Sequence, residues 1–514
     1  MNKNGVNINQ IVNTLQRLLS PIYGVMLCGI VSICVLFSDI DFAGDHLSRR
    51  YLPPVILLGF GTVFICGIFT LCKRFLPEKK RTRNLLLLFV SFILFFVQLY
   101  SVYNYYFITG WDVSVLMSLS DVRAHGGDVS VFSEYFSRYP NNLFLAFIFS
   151  TIRKFLHMLG LHRYEYGAIL CVQCALTSAA GLLVVHISDH LFDCAPLSIF
   201  VYMIYHLLVG ASPWVSIPYS DSMGLIFPVL ILALYIRREK TSHIFGLWFG
   251  LAALSVIGYR IKPQLFIVFI AVLIIESMEW LKDRRSGKRT AGLAGIIIGI
   301  ICSGLVSQIM ISSLNVPVNK EKTFNIPHFL MMGMNPADHG IWSESDVLFS
   351  DSFETADERN KANIDMTVKR IQEMGLNGVL NQFRRKTLTN YDDGTFCWSG
   401  EGSFFSEVFE KKDNRWCVFF RGLYYTGEYA DDGKYHLLWA NAEQMLWLTI
   451  LLLNIFAGFA QGNADKNVIM LSIIGLTVFE LLFEARARYL FAYTPFYILL
   501  AGYGVHYVRT RLNR

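Results

Sequence analysis

The chain carries no P-loop, no Ser-His-Asp order and no close His and Cys spacing of the kind that holds zinc. Nucleotide cradling by a glycine-rich loop and triad hydrolysis are therefore not what these residues prescribe. Charge is sparse as well: 45 Lys and Arg with 39 Asp and Glu make up 16% of 514 residues. A low-complexity linker and an internal repeat are also missing, so the chain does not divide into soluble modules. The N-terminus lacks a small-residue cleavage site after a short apolar core, and reads as a retained cytoplasmic end.

What fills the chain is apolar. Hydrophobic residues make up 54% and the mean hydropathy is +0.43. They come in blocks of about the 17–25 residues that cross a bilayer. This is the pattern of an all-α polytopic membrane protein. The net charge of +6 comes from loops that flank spans and is no nucleic-acid signature. Most of the ten cysteines sit in apolar blocks, where they act as small hydrophobes. Cys397 and Cys417 fall in the large polar loop, where the sequence leaves a disulfide open.

Apolar runs predict twelve spans, near 19–37, 52–72, 84–104, 165–186, 195–212, 222–236, 243–258, 262–279, 291–313, 441–459, 468–484 and 487–506. Lys and Arg mark cytoplasmic loops. The clusters Lys73–Arg83, Arg237–Lys240, Lys282–Arg289 and Arg509–Arg514 then share the inner side, with both termini. Asn142 to Leu161 is apolar but carries Arg153, Lys154 and His157. Counting it as a span breaks the charge bias, so it is placed as an interfacial helix on the outer surface. Four regions follow: a membrane hairpin with a basic loop (1–83), a catalytic membrane module (84–313), an extracytoplasmic α-plus-loop domain (314–440) and C-terminal helices (441–514). In the third, Thr355-Ala356-Asp357-Glu358 is a capping box, its helix should stop at Gly375, and a second helix is expected near 378–386.

On this topology unusual polar residues gather outside. Asp112, after Gly110-Trp111, lies just beyond a span. A carboxylate there stays wet and still reaches a lipid headgroup. Neither ATP nor nucleotide sugars are present outside, so chemistry must draw on a lipid-carried substrate. The plainer reading is that Asp112 ends a helix and Trp111 joins the aromatic belt. Arg138-Tyr139-Pro140 follows in the same loop, and Tyr219-Ser220-Asp221 opens the sixth span. Asp221 is a second outer carboxylate, able to orient an acceptor, share a metal with Asp112, or merely cap a helix.

Arg260 and Lys262 break the charge bias in a very short outer loop, as do Arg486 and Arg488. A lipid-linked phosphate explains such cations, with Arg as a fork and Lys as a point charge; snorkelling to ordinary lipid is the alternative. Glu484 and Arg488, four apart, can pair on a helix. His328 is a contact for substrate or a packed histidine. Trp398 and Trp342 can stack on sugars or on the membrane.

The arrangement resembles the GT-C membrane glycosyltransferases, most nearly the bacterial relatives of the protein O-mannosyltransferases. The features that carry the resemblance are Gly110-Trp111-Asp112, Tyr139-Pro140 with the surface helix after it, Tyr219-Ser220-Asp221, Arg260-Ile261-Lys262-Pro263 and Glu484-Ala485-Arg486-Ala487-Arg488-Tyr489, in that order over about 84–506. Two departures stand out: two spans precede the one leading to Asp112, and Pro140 is followed by Asn141 where the family has a second proline. The resemblance implies an inverting transferase in the plasma membrane. Its donor would be a polyprenyl-phosphate sugar, and its acceptor a cell-surface glycan, a lipid-linked glycan or a teichoic-acid-like cell-wall polymer. Asp112 would be the base, Asp221 would orient the acceptor, and Arg260, Lys262 and Arg486 would meet the phosphate. No cofactor is assigned; a divalent ion on Asp112 and Asp221 stays open. Two rival classes are a polymerase or ligase using lipid diphosphates, with its key arginines in the large loop, and a flippase or transporter. The latter needs ionisable groups deep in the spans, which read as nearly free of them.

Overall fold

The computed structural model describes residues 8–38, 51–75, 80–282, 286–398, 405–407, 414–425 and 433–512. Long apolar runs without helix breakers become helices, and little else is regular. The N-terminal helices are α1 (Ile8–Leu36), α2 (Pro54–Phe75) and α3 (Lys80–Tyr105). After strand β1 (Ile108–Thr109) come α4 (Asp112–Ala124), α5 (Ser133–Arg138) and α6 (Leu143–Met158). The central bundle follows as α7 (Glu165–Phe192), α8 (Ala195–Tyr205), α9 (Ser220–Gly224), α10 (Ile226–Tyr235), α11 (Ile244–Ile261), α12 (Ile267–Lys282) and α13 (Ser286–Ser312). Shorter elements come next: α14 (Ile326–Gly333), α15 (Glu344–Asp351), α16 (Ala356–Tyr391), β2 (Phe405–Glu407) and α17 (Arg415–Tyr424). The chain closes with α18 (His436–Phe459), α19 (Ala464–Leu482) and α20 (Thr494–Leu512).

The twelve apolar runs are helical over most of their length, with 222–236 divided between α9 and α10 and 487–506 opening as a 3-10 segment before α20. Among the described residues, eight helical segments are long and apolar enough to cross a membrane; Ala195–Gly210 and Ser220–Tyr235 are shorter apolar helices, and α19 and α20 fall outside both groups. Many large apolar side chains on α1, α2, α3 and α13 are exposed, as a lipid-facing surface requires.

The bundle has two chemically distinct ends. At one, Arg83 at the start of α3 pairs with Asp189 near the end of α7. Arg238, just past α10, reaches Asp465 at the start of α19 at 2.5 Å and Glu276 of α12 at 3.4 Å. Gln16 of α1 and Lys282 of α12 share Glu279 at 2.7 and 3.0 Å. These ion pairs tie together the helix ends beside the basic clusters. The other end collects Asp112, Asp221, Lys262 and Arg488.

The Asn142–Leu161 run forms α6, which lies against α4. Its Arg153 is not left in an apolar setting: it turns inward to Asp121 at 2.9 Å and Glu165 at 3.4 Å. Phe155, Met158 and Leu159 stay exposed, as an interfacial face would be.

In the 314–440 region Thr355 caps α16 as expected, and Glu358 turns back to the Thr355 hydroxyl. Thr355 accepts from the Glu358 amide at 3.3 Å and donates to the Glu358 carboxylate at 2.9 Å. Gly375 breaks α16 with φ +58°, a left-handed conformation that glycine tolerates, and the helix resumes beyond it to Tyr391. This region folds onto the bundle. Strand β2 pairs antiparallel with β1, Ile108 opposite Glu407 and Thr109 opposite Phe405. A side chain at Gly333 would lie 2.4 Å from the Leu482 carbonyl, so α14 abuts the end of α19 backbone to backbone. Trp398 is fully buried, donating to the Tyr424 carbonyl at 2.7 Å and packing edge-on to Trp214. The expectation that it stacks on sugars is therefore corrected: its indole is core. Trp342 remains half exposed.

Candidate functional site

Asp112 is the first residue of α4, where the helix dipole favours a carboxylate. It does not act as a cap, because its oxygens go elsewhere. Oδ1 accepts from the Tyr135 hydroxyl and Oδ2 from the Tyr219 hydroxyl, both at 2.7 Å. Asn142 donates to the Tyr135 oxygen at 2.7 Å and so orients that phenol. Burial first, and the Asp112 charge second, hold both phenols well above the ordinary tyrosine value. They therefore stay protonated and donate. No cation lies within ion-pair distance of Asp112 among the described residues, and its side chain keeps a partly open face.

Asp221 is different. It is 1% exposed. Tyr219, and not Ser220 or Asp221, occupies the N-cap of α9, so the capping alternative does not hold. One oxygen of Asp221 takes the Lys262 ammonium and the other takes Arg488 at 2.8 Å. Its two oxygens are thus committed to cations. Arg488 also lies over Trp111 at 4.9 Å and over Tyr219 at 5.5 Å. Trp111 in turn packs edge-on to Tyr219 at 5.0 Å. The two carboxylates are therefore linked through one aromatic pair.

The segment after α19 leaves the helix at Leu482, so the helical spacing expected for Glu484 and Arg488 does not arise. Glu484 accepts from the Tyr489 hydroxyl at 2.9 Å, and Lys262 lies over the Tyr489 ring at 3.8 Å. Arg486 is buried in the same segment. Tyr139 packs on Tyr135 at 5.4 Å and feels the charges of Asp112 and Glu484. The structure thus brings together Asp112, Tyr139, Tyr219, Asp221, Lys262, Glu484 and Arg488.

Three expected contacts lie elsewhere. Arg260 turns to α13, donating to Ser307 at 3.1 Å. Arg138 clamps Asp351 at 2.7 and 3.0 Å and Glu134 at 2.8 Å, which ties α5 to α15. His328 is buried, bonds Ser350 at 2.7 Å and stacks on Phe324 at 4.2 Å. Burial, then the Arg359 charge, pull its imidazole down to about 4, so it is a neutral packing group.

Two residues join the site unannounced. Glu480, in the last turn of α19, is fully buried, and neither carboxylate oxygen has a hydrogen-bond partner. The charges acting on it are those of Lys262, Lys386, Glu484 and Asp221. Lys386 of α16 donates to the Gly333 and Phe483 carbonyls, and burial pulls its ammonium down to about 7. The four-residue step from Glu480 to Glu484 was the available signal, since a lone acid in an apolar run is costly unless it is used.

The chain belongs to the family described as conserved hypothetical integral membrane protein, whose model matches residues 11–508. No curated protein and no solved structure matches it.

Proposed function

We propose that this integral membrane protein is a glycosyltransferase. It moves a sugar from a polyprenyl-phosphate carrier to a hydroxyl of a glycan or lipid-linked glycan on the outer side. The observation that carries the reading is the division of labour between the two aspartates. Asp112 is partly open, meets no cation among the described residues and is aimed by two phenols. It has the setting of a base that takes a proton from an attacking hydroxyl. Asp221 cannot serve that role while two cations hold it. Its part is to fix Lys262 and Arg488 beside Asp112. Those cations are poised for the charge that grows on a departing lipid phosphate, and they act most where that charge is largest, in the transition state. With Asp221 so occupied, a metal shared by the two aspartates is not needed for the step.

The topology that suits this function has twelve crossings with both basic termini inside. The Asp112 end and the 314–440 region are then outside, in the plasma membrane. Transport is a weaker reading. Buried ionisable groups do occur in α19, but Glu480 sits in its last turn, beside the aspartate cluster, and not at mid-helix. The deciding experiment incubates membranes bearing the protein with individual polyprenyl-phosphate sugars and follows donor consumption. Consumption of none of them, with a correctly inserted protein, removes the reading.

A further inference from the structure

At the far end of α4 from Asp112, three histidines converge on one buried carboxylate. His125 caps the C-terminus of α4, His157 lies in the last turn of α6, His162 follows the bend after it, and Glu165 opens α7. One ligand atom from each lies within 4.8 Å of all the others. The approaches to Glu165 Oε1 are 3.7 Å from His125 Nε2, 3.9 Å from His157 Nδ1 and 3.5 Å from His162 Nδ1. All three are too long for hydrogen bonds, and the His157 ring packs against those of His162 at 4.2 Å and His125 at 4.7 Å. Glu165 Oε1 and His157 Nδ1 are buried and have no hydrogen-bond partner. Orphaned buried polar atoms of this kind call for an explanation.

We infer that His125, His157, His162 and Glu165 bind one transition-metal ion of the zinc class. Three imidazoles and a carboxylate form a nitrogen-rich, borderline ligand set that suits Zn²⁺ over Mg²⁺ or Ca²⁺. Ligand bonds of about 2.0–2.2 Å put tetrahedral ligand atoms about 3.3 Å apart. The ligand atoms, now within 4.8 Å of one another, would draw together by up to about 1.5 Å to reach that value. Supporting contacts are already in place. The other nitrogen of His125, Nδ1, meets the Asp121 carbonyl at 2.9 Å, which leaves Nε2 for the ion. The other oxygen of Glu165 meets Arg153 at 3.4 Å, and Arg153 is anchored on Asp121 at 2.9 Å. Such outer partners fix ligand orientation. His125 and His162 are exposed, so an ion can arrive from solvent, while Glu165 at 3% exposure provides the inner anchor.

The site joins α4, α6 and α7. Since α4 has 13 residues, it lies about 20 Å along that helix from Asp112, at 1.5 Å per residue. It is a clamp on the helix that carries Asp112 and does not touch that carboxylate. This inference stands independently of the transferase reading.

The test uses the full chain in detergent, purified on a tag without histidine and stripped with chelator. Zinc is added, unbound metal is removed by desalting, and bound metal is counted by mass spectrometry. About one zinc per chain is expected, with a higher melting temperature and, for Co²⁺ in its place, the strong visible absorption of a four-coordinate ion. His157→Ala and Glu165→Gln should lose the bound zinc and the thermal shift, whereas His243→Ala should keep both. If these two variants do not fold, the exposed His162→Gln and His125→Asn carry the same expectation. A wild-type chain that retains no zinc after desalting overturns the inference, as does a folded ligand variant with unchanged zinc content.

Discussion

Tyr219 donates a hydroxyl hydrogen bond to Asp112 at 2.7 Å from a position two residues before Asp221. One short turn thus aims one carboxylate and introduces the other. The pairing separates two aspartates that are chemically alike, and it gives each a different forecast.

Asp112→Asn keeps shape and removes the proton acceptor. Sugar transfer should fall by about 10²–10⁴-fold, the usual worth of a positioned base. Melting temperature in detergent should be nearly unchanged, because no cation depends on this carboxylate. Near-normal transfer by a well-inserted variant would falsify the assignment of Asp112 as base.

Asp221→Asn should behave in the opposite way. It removes the buried carboxylate that Lys262 and Arg488 share. Breaking a buried pair typically costs about 3–5 kcal/mol. Thermal melts of the two variants, side by side, test the contrast. Equal melting temperatures for both would show that Asp221 is not an anchor.

Among the cations, Lys262→Ala and Arg488→Ala should slow turnover at limiting donor by roughly tenfold to a hundredfold, the worth of one charged hydrogen bond of about 1.5–3 kcal/mol. Arg260→Ala should do far less, since that guanidinium donates to Ser307 on α13. Initial rates over a donor series separate the three. A defect in Arg260→Ala as large as the other two would move the phosphate site toward α13.

Lys386 makes stability depend on pH. Its ammonium is pulled down by burial from 10.5 to about 7, against the opposing pull of Glu480 and Glu484. Between those values the unfolded chain binds the proton more readily than the folded one. Stability should therefore rise with pH from about 7 to 10.5, and the burial penalty is fully felt below 7. Melting curves across that range should show the rise in the wild type and a smaller one in Lys386→Met. The same slope in both would assign it to another group.

Cysteine labelling tests the two ends. In a background without native thiols, Trp342→Cys should react with an impermeant reagent from outside intact cells, and Asn463→Cys should not. The reverse pattern turns the whole bundle over.

Much of the scaffold could be read directly. Long apolar runs have one stable form in a bilayer, so every predicted span is mostly helical. The Thr355 cap and the break at Gly375 are local and need only neighbouring residues. Asp112, Tyr219, Asp221, Lys262 and Arg488 stood out because charge beside a span is unusual. What stayed hidden depends on distant partners. Nothing local told whether Arg260 or Lys262 would turn toward Asp221: Arg260 lies in the last turn of α11, and Lys262 just past it has extended backbone that swings its side chain another way. Trp398 looked like a surface aromatic in a polar loop, yet Trp214, far away in sequence, closes over it. His157, His162 and Glu165 fall within nine residues, a spacing open to view, but His125 lies 32 residues before His157 and only the fold brings it to them.

The partners of Asp221 also set an order for biogenesis. Lys262 follows it by 41 residues and Arg488 by 267. As the chain leaves the ribosome, α9 to α11 can enter the bilayer as a hairpin in which Asp221 and Lys262 already neutralise each other. Arg488 arrives only when nearly the whole protein has been made, and it then brings a second positive charge to a partner already in place. The hairpin is thus insertable before the cluster is complete, and the full charge arrangement around Asp112 is assembled last.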